Sequence, residues 1–408
     1  MIYSCRICGT DLEPFMSFGE MPIANGFLTP AEFKSEYFFE LKPGFCESCS
    51  TLQILEQPNP ERMFHENYAF FSRTSKRMAI HFESYANWVK KNYLTSDNPF
   101  VVEIGSNDGL MMEFFAKDNI RQLGVEPSGN VAKKSREHGV ETLCSFFNLD
   151  TAKKIVSEKG FADALIAANV MCHIPDLNGV AQGADHLLIP DGVLIFEEPY
   201  LGDMIESTAY DQIYDEHVFI FSARSVQNIF DRYNFELIDV KRQSTHGGSM
   251  RYVLARKDKW PVSLDVKKQL KYEDNKGLHL KSTYEVFREK CEESRTNLVS
   301  ILKQQKEEGR RIVGYAATSK STTVLNYCNI GPELIEYISD TTPIKQGKYS
   351  PGMHIPIRPF EALNDGYPDG FLLFAWNHKD EIMEKESSFL QSGGEWITYI
   401  PQVDIIRK

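Results

Sequence analysis

The chain of 408 residues has no apolar run that approaches the ~20 residues needed to cross a bilayer. Its first residues, MIYSCRICGT, lack the basic segment followed by an apolar one that marks a secretory signal. Basic residues are also relatively few, because the chain has 45 Lys and Arg residues and 57 Asp and Glu residues. We therefore expect a cytoplasmic protein with no membrane segment and no basic surface for nucleic acid.

Nothing in the composition indicates disorder, since 42% of the residues are hydrophobic and 25% are charged, as in globular enzymes. The chain is too long for one ordinary core, so its length predicts two or three domains. No internal repeat of solenoid period is present. Cysteine is not scarce: the chain has eight, and four of them stand in two tight pairs.

These pairs are Cys5-Arg-Ile-Cys8 and Cys46-Glu-Ser-Cys49. Each CxxC pair brings two thiolates to one ion, and four thiolates complete the tetrahedral shell that structural zinc prefers. A redox role is the alternative, but neither pair opens a helix after a strand as thioredoxin-like motifs do. A shell of four thiolates leaves no open position, so we expect Zn²⁺ to fold this segment rather than to catalyse.

A strand, a turn with two glycines and a helix follow in NPFVVEIGSNDGLMMEFF, which begins at Asn98. A second strand, LGVEPS, ends at the acid Glu126. This order predicts a nucleoside site in which Gly105 and Gly109 let the backbone approach the ligand. Glu126 is then placed to accept hydrogen bonds from ribose hydroxyls.

The turn departs from the dinucleotide pattern because it carries acids, in the order ExGxxDG, where a pyrophosphate would need bare amides. Glu103, Asp108 and the intervening Asn107 suit a cationic ligand without phosphate. S-adenosylmethionine (SAM) is such a ligand, because it carries a sulfonium and an amino group. We therefore expect SAM as the cofactor.

Further strands, ADALIAANV and GVLIFEEP, continue a doubly wound sheet, and the first runs into NVMCHIPD. This segment resembles the fourth strand of class I methyltransferases, which places Asn169 and His173 at the carboxyl edge where ligands bind. A structural role for His173 is the alternative. Phe146, with Phe147, either flanks the adenine or belongs to the core.

One resemblance covers essentially the whole chain. YDEHVFIFS, HGGSMR (246–251), CRICG…CESC and KQGKYSPGMHIPI together resemble the sugar C-methyltransferase family, which methylates a ring carbon of a nucleotide-linked ketosugar. It implies an α/β chain with a class I SAM methyltransferase Rossmann-like domain, a small N-terminal zinc-binding module and a second, C-terminal Rossmann-like domain. The boundaries we expect are 1–65 for the zinc module, 66–255 for the methyltransferase domain, 256–310 for a solvated helical connector and 311–408 for the last domain.

The chemistry gives the YxEH pattern a purpose. A carbon becomes nucleophilic only after a base removes a proton next to a carbonyl, and an imidazole oriented by a neighbouring carboxylate suits that task. The resemblance makes His217 the base and puts Tyr214 and Glu216 beside the sugar, with Tyr214 or His173 donating to the enolate oxygen. It also places Tyr68 over the active site. A structural Glu–His pair is the alternative.

The C-terminal segment alternates strand and helix from RRIVGYAATSKSTTVLN onward, although its first loop lacks the Gly-rich fingerprint. Five residues are candidates to hold a sugar diphosphate, with an ordinary loop and surface lysines as the alternative. They are Lys320, Ser321, Lys345, Lys348 and His354.

The prediction is a SAM-dependent C-methyltransferase that acts on a ring carbon of a nucleotide-diphosphate 4-keto-deoxysugar, bound between the middle and C-terminal domains. C3 is the preferred position, and C5 is the alternative. We expect a monomer or a weak homo-oligomer. Two alternatives stay open: an O- or N-methyltransferase with the same SAM site, and an inactive scaffold stabilised by zinc.

Overall fold

The structure is a computed structural model that describes residues 2–59, 63 and 71–408. The candidate residue Tyr68 lies outside these described residues. Within them, no helix combines the length and the apolar character needed to cross a membrane.

The N-terminal module consists of short antiparallel hairpins whose turns carry the cysteines. Its strands are β1 (Tyr3–Ser4), β2 (Asp11–Leu12), β3 (Glu20–Pro22), β4 (Phe38–Glu40), β5 (Pro43–Cys46) and β6 (Thr51–Ile54). β1 pairs with β2, β3 with β4, and β5 with β6. Cys5 and Cys8 lie in the turn after β1, and Cys46 and Cys49 border the turn between β5 and β6. The hairpins therefore bring the two CxxC pairs to the same place.

The middle domain is a seven-stranded sheet covered by helices. Its elements are α1 (Lys76–Tyr93), β7 (Phe100–Ile104), α2 (Leu110–Ala116), β8 (Arg121–Val125), α3 (Gly129–Glu137), β9 (Thr142–Leu143), α4 (Leu149–Lys159), β10 (Ala162–Ala168), α5 (Leu177–Leu187), β11 (Leu188–Pro199), α6 (Leu201–Ser207), β12 (Phe219–Ile220), α7 (Ala223–Asp231), β13 (Phe235–Gln243) and β14 (Ser249–Arg256). The strand order is β13-β14-β11-β10-β7-β8-β9.

The five strands from β7 to β11 are parallel, β14 pairs with β11 antiparallel, and β13 at the edge pairs with β14 antiparallel. Every residue of β7 is buried, as its apolar run predicts for a central strand covered on both faces. The chain crosses from β9 on one side of β7 to β10 on the other. The strand order therefore reverses at β7, and the loops after β7 and β10 border the crevice where ligands bind in such sheets.

The last part of the chain contains α8 (Leu264–Asn275), α9 (Lys281–Glu307), β15 (Ile312–Tyr315), α10 (Ser319–Cys328), β16 (Ile338–Ser339), β17 (Ile357–Arg358), β18 (Gly370–Leu373), α11 (Lys379–Lys385), α12 (Ser387–Gln391), β19 (Glu395–Thr398) and β20 (Asp404–Ile406). Its sheet has the order β17-β16-β15-β18-β19-β20. The order reverses at β15, so a second crevice lies between the loops that follow β15 and β18.

The segment expected to be a solvated connector is instead two packed helices. Gly277 lies between α8 and α9 and has a φ of 64°, a conformation that favours glycine. On α9, Tyr284, Phe287, Leu298 and Leu302 are almost completely buried. These apolar positions recur at helical spacing, so one face of α9 belongs to the core.

A small sheet joins the N-terminal module to the middle domain. β12 pairs with β6 antiparallel, and the backbone N–H of Ile54 donates to the carbonyl oxygen of Val218 at 2.9 Å. β12 comes directly after the YDEH segment that the sequence singled out. That segment is therefore anchored on a strand of the cysteine-bearing module.

Candidate active site

The loop after β7 has the backbone that its glycines predict. Gly105 has a φ of 64° and Gly109 a φ of 77°. A Cβ on Gly105 would lie 2.5 Å from the Val170 side chain, and one on Gly109 would lie 2.4 Å from the hydroxyl oxygen of Ser135. Both the conformation and the space therefore exclude a larger side chain.

Glu126 closes this loop from the end of β8. Its carboxylate accepts the backbone N–H of Asn107 at 2.9 Å and that of Ser128 at 2.8 Å. The Ser128 side chain also bonds to this carboxylate, and because a carboxylate has about four acceptor positions, one of them remains for a ligand. The structure thus gives Glu126 a loop-shaping contact that the sequence did not indicate, and the expected ribose contact remains compatible with it.

The acids of the loop are buried and close to one another. Glu103 and Asp108 are 4% and 2% exposed. Burial raises the pKa of Glu103 well above its usual value, and the charges of Glu126 and Asp108 add to the effect. One side-chain oxygen of Glu103, of Asp108 and of Asn169 has no hydrogen-bond partner among the described residues. Unpaired buried acceptors around a cluster of acids fit a cationic donor ligand, as SAM is.

Phe146 and Phe147 differ in exposure, which bears on whether each flanks the adenine or belongs to the core. Phe147 is 5% exposed and would meet any side chain at Gly183, which places it in the core. Phe146 is 48% exposed, beyond the short strand β9. Only Phe146 is therefore available to a nucleoside, and its contact with adenine stays a prediction.

His217 is buried and held at both ring nitrogens. Nδ1 lies 2.7 Å from the carbonyl oxygen of Gln212, and Nε2 lies 2.8 Å from the hydroxyl of Tyr214. Because a carbonyl oxygen only accepts, Nδ1 carries the proton, and the lone pair of Nε2 accepts from Tyr214. Burial lowers the pKa of His217 well below its usual value, and the charge of His173 lowers it further. The ring is therefore neutral at pH 7 with a lone pair on Nε2, the form a general base requires.

The neighbouring carboxyl groups do not orient this ring, contrary to the expectation from sequence. Glu216 instead accepts from the side-chain amide of Asn25 at 2.7 Å, and Asp215 accepts from the backbone N–H of Ala24 at 3.2 Å. Burial raises the pKa of both carboxyl groups. The orienting acceptor of His217 is the Gln212 backbone, because the short helical turn Tyr210–Gln212 bends that carbonyl toward the ring.

His173 follows β10 at the carboxyl edge of the sheet, as predicted. Its ring centroid lies 5.4 Å from that of His217, with the two planes 26° apart. Burial lowers the pKa of His173 to about 4, and the charge of His246 contributes. Burial likewise lowers the pKa of His246 to about 4. Three neutral imidazoles therefore meet at this edge, and His246 comes from the HGGSMR motif that we had not assigned to the site.

Lys320 extends from the C-terminal sheet into the same place. Its Nζ is buried 4.5 Å from the centroid of the Trp376 ring and has no hydrogen-bond partner among the described residues. Burial lowers the pKa of Lys320, and the charge of Asp211 opposes that effect. Asp211 accepts in turn from the indole N–H of Trp376 at 2.7 Å. The loops after β15 and β18 thus face His217, the proposed general base in the middle domain.

The other C-terminal candidates occupy different positions. Ser321 lies in the first turn of α10 and completes the cap made by Thr318: its backbone N–H donates to the Thr318 hydroxyl at 3.1 Å, and its hydroxyl accepts from the Thr318 backbone N–H at 3.0 Å. Lys345 donates to the carbonyl oxygen of Ala317 at 2.7 Å and lies over the Phe27 ring. His354 is 2.7 Å from Glu36 of the N-terminal module, and Lys348 lies in the same segment, half-buried. Of the five candidates, the structure therefore brings Lys320 to His217, and the roles of the others stay predictions.

A groove of about 430 Å³ opens beside Lys320, between the middle and C-terminal domains. Arg77 of α1 lines one side, and residues 376–381 with Glu384 line the other. Arg77 pairs with Glu381 across the groove at 2.6 Å. The groove is large enough for a ligand to extend outward from His217. Trp376 offers an aromatic ring on the wall of the groove.

The four cysteines of the CxxC pairs fit a metal ion. Their sulfur atoms lie within 4.8 Å of one another. Cys5 is 3.5 Å from Cys49 and Cys8 is 3.5 Å from Cys46, close to the separation in a tetrahedral thiolate shell. The side chain of Gln53 donates to the sulfur of Cys5 at 3.1 Å, and such outer hydrogen bonds orient metal ligands.

Comparisons with known proteins agree with this arrangement. Family models match three successive segments: a zinc binding domain at residues 5–64, a methyltransferase domain at 77–240 and a C-methyltransferase C-terminal domain at 244–401. The C-methyltransferase NovU of Streptomyces niveus is 31% identical over 413 residues, which cover 99% of this chain and 97% of NovU.

Two solved structures are similar to about half of the chain. The PH0226 protein of Pyrococcus horikoshii is 16% identical, covers 50% of this chain and all of its own, and has a TM-score of 0.38. The magnesium protoporphyrin IX methyltransferase of Synechocystis with bound SAM is 13% identical, covers 48% of this chain and 88% of its own, and has a TM-score of 0.33.

The match to NovU extends over nearly the full length of both chains, and the three family models follow the order that the motifs predicted. The predicted family and fold are thereby confirmed. The chain belongs to the family of SAM-dependent C-methyltransferases that combine a zinc binding domain, a methyltransferase domain and a C-terminal domain of their own.

Proposed function

We propose that this protein methylates C3 of a nucleoside-diphosphate 4-keto-deoxysugar through an enolate. The observation that carries the proposal is the state of His217: a buried, neutral imidazole whose Nδ1–H is held by Gln212 and whose Nε2 lone pair faces Tyr214. A C-methyltransferase needs such a base because an unactivated ring carbon has no lone pair to attack a methyl group. A methyl transfer to oxygen demands far less of its base.

The chemistry starts with proton transfer from C3 of the sugar to Nε2 of His217, and the electron pair of the C–H bond moves into the adjacent carbonyl to give an enolate. The Tyr214 hydroxyl, displaced from Nε2 by the sugar, then donates to the enolate oxygen. Such a donor contributes about 3 kcal/mol of stabilisation. His173 is the second donor within reach of this place, since its ring stacks beside that of His217.

SAM, when bound, supplies an electrophilic methyl group to the enolate carbon and leaves as S-adenosylhomocysteine. The residues that would hold it are Glu103, Gly105, Asn107, Asp108, Gly109, Glu126, Phe146 and Asn169. The buried, unpaired acceptors of Glu103, Asp108 and Asn169 support this assignment. The positive charge of SAM would relieve the repulsion among the buried acids. We therefore expect these acids to favour SAM over a neutral nucleoside.

The sugar nucleotide is placed between the middle and C-terminal domains. Lys320 supports this placement, because a buried ammonium without a hydrogen-bond partner is a position for an anion such as a diphosphate. The groove beside it, with the Trp376 ring on its wall, leaves room for the nucleoside. Zn²⁺ on the four cysteines is assigned a structural role, since four thiolates leave no open position.

The test uses 4-keto sugar nucleotides in deuterated water. We expect the wild-type protein to exchange the C3 proton for deuterium and, with SAM, to place the new methyl on C3 by NMR. His217→Asn should bind SAM with unchanged affinity in calorimetry but lose both exchange and transfer. His186→Asn, an exposed histidine on α5, is the matched control and should keep both.

Three outcomes would contradict the proposal. Exchange at the wild-type rate in His217→Asn would exclude His217 as the base. A new methyl on oxygen would make the protein a different kind of methyltransferase. A chain that binds no SAM would favour the zinc-stabilised scaffold.

A further inference from the structure

A second cluster of metal-binding side chains lies in the active site. Cys172, His173 and His217 place one ligand atom each within 4.8 Å of one another. Cys172 and His173 come from the short helical turn Met171–His173, and His217 comes from the loop before β12. Among the described residues, only this group and the four paired cysteines have such an arrangement.

The donor set is one that soft divalent cations prefer. A thiolate and two neutral imidazoles match the ligands of zinc in proteins, and three protein ligands leave a fourth position open. Because Nδ1 of His217 donates to the carbonyl oxygen of Gln212, the lone pair of that ring lies on Nε2, where a metal can bind it. The four paired cysteines, in contrast, close their shell.

The Cys172 thiol has an acceptor for the proton that it must lose on binding a cation. Cys172 is hydrogen-bonded to Glu198, which also accepts from the backbone N–H groups of Val170 and Met171 at 2.8 and 2.6 Å. Glu198 is itself buried, so this contact gives the released proton an acceptor inside the site. Outer carboxylates of this kind orient and support metal ligands.

The charges around the cluster balance a divalent ion. Burial raises the pKa of the Cys172 thiol well above its usual value, and the buried Glu198 and Glu216 add to the effect, so Cys172 keeps its proton until a cation binds. The positive charge of Lys320 opposes the binding of a cation, because Lys320 is close enough to lower the pKa of His217. Once Cys172 has passed its proton to Glu198, the thiolate and the Glu216 carboxylate together offset an added charge of +2, so the site as a whole does not repel a cation.

We propose that Cys172, His173 and His217 form a reversible site for a thiophilic divalent cation such as Zn²⁺ or Cd²⁺, and that occupancy blocks the enzyme. The cation bonds to Nε2 of His217, Cys172 gives up its thiol proton to Glu198 or to solvent, and the Tyr214 hydroxyl leaves Nε2. The lone pair that serves as the base is then occupied. The inhibitory part of this inference rests on the proposed function, whereas the binding part does not.

Binding is tested with Co²⁺ added to the zinc-loaded full chain, followed by thiolate-to-cobalt charge-transfer absorption and by metal analysis. We expect one Co²⁺ per chain beyond the retained zinc. Cys172→Ser and Cys172→Ala should lose the charge-transfer band, and Glu198→Gln should weaken binding roughly 10- to 100-fold. Cys144→Ser, which removes an exposed cysteine, is the matched control and should keep the band.

Inhibition is tested as the ratio of methyl-transfer rates with and without Cd²⁺ for each variant. A strong decrease in wild type and in Cys144→Ser, but not in Cys172→Ser, is the expected result. No bound Co²⁺ in zinc-loaded wild type, or an unchanged band in Cys172→Ser, would overturn the site itself. Binding without inhibition would overturn only the blocking role, and an absence of all methyl transfer would count against the proposed function while the cobalt band still decides the site.

Discussion

The hydroxyl of Tyr214 donates to Nε2 of His217 at 2.8 Å, three residues along the same loop. The ring of Tyr214 also lies 4.1 Å from that of His217, so the two side chains form one packed unit. The opposite nitrogen of the imidazole is held by the Gln212 carbonyl. The pair therefore fixes both the tautomer and the direction of the lone pair before any sugar binds.

Tyr214→Phe removes the hydroxyl and keeps the ring that packs on His217. We expect kcat to fall by about tenfold to a few hundredfold, because the enolate loses a donor worth roughly 1.5 to 3 kcal/mol. SAM affinity should not change. Steady-state kinetics and calorimetry measure the two quantities, and a variant with wild-type kcat would show that the hydroxyl has no part in the reaction.

Asn25 gives a second prediction, because this residue of the N-terminal module touches both other domains. Its amide donates to Glu216 at 2.7 Å, and its carbonyl oxygen accepts from the Ser319 hydroxyl at 3.0 Å. Asn25→Ala should lower kcat while the zinc content stays at the wild-type level. Asn25→Asp should be worse, since it sets a second carboxyl group against the buried Glu216.

Kinetics and zinc analysis of both Asn25 variants provide the test. Asn92→Ala, at an exposed position on α1, is the control and should behave as wild type. If Asn25→Asp matches or exceeds Asn25→Ala in activity, Glu216 is not held by this contact in the way the structure indicates.

Stability should depend on pH through the buried histidines. The folded-state pKa of His173 and of His246 is about 4, below the usual value of 6.5. A histidine whose pKa is lowered by folding contributes its full stability above pH 6.5 and loses it as the pH falls toward 4, because only the unfolded chain then takes up the proton. Each should cost up to about 1 kcal/mol per pH unit in that window.

Urea unfolding between pH 7 and pH 5 measures this effect, and His246→Asn isolates one histidine. Asn is chosen because position 246 has a φ of 54°, which Asn tolerates. The variant should lose less stability than wild type as the pH falls. An equal loss in both proteins would show that His246 is not buried in its neutral form, and the exposed His138→Asn is expected to follow wild type.

The sequence predicted those parts of the site that depend on local pattern. Gly105, Gly109 and Glu126 lie where a strand, a turn and a following strand must place them, because these contacts are set within one βαβ unit. The same holds for Cys5 and Cys46, since hairpin turns bring CxxC pairs together. The positions of these residues could be predicted from their spacing in the sequence alone.

Contacts made by backbone atoms, and contacts between domains, could not be predicted in this way. Neither the Gln212 carbonyl at His217 nor the Asn25 amide at Glu216 has a sequence signal, since a backbone oxygen has no side-chain identity and Asn25 lies almost two hundred residues away. The expected carboxylate orienter was wrong for this reason. His246 did carry a signal, because it belongs to the HGGSMR motif.

Zinc removal should inactivate the protein through the sheet that joins β6 to β12. The cysteine shell holds the turn between β5 and β6, and β6 in turn pairs with Phe219–Ile220, two residues beyond the base.

Cys46→Ser breaks the shell at a residue that is 0% exposed. We expect loss of the bound zinc, a lower melting temperature and a loss of methyl transfer greater than any change in SAM affinity, because the SAM loop belongs to a separate sheet. Cys291→Ser, at a buried cysteine far from the shell on α9, controls for the loss of a buried thiol and should retain zinc. Full activity in a zinc-free Cys46→Ser protein would mean that the β6–β12 pairing does not depend on the metal.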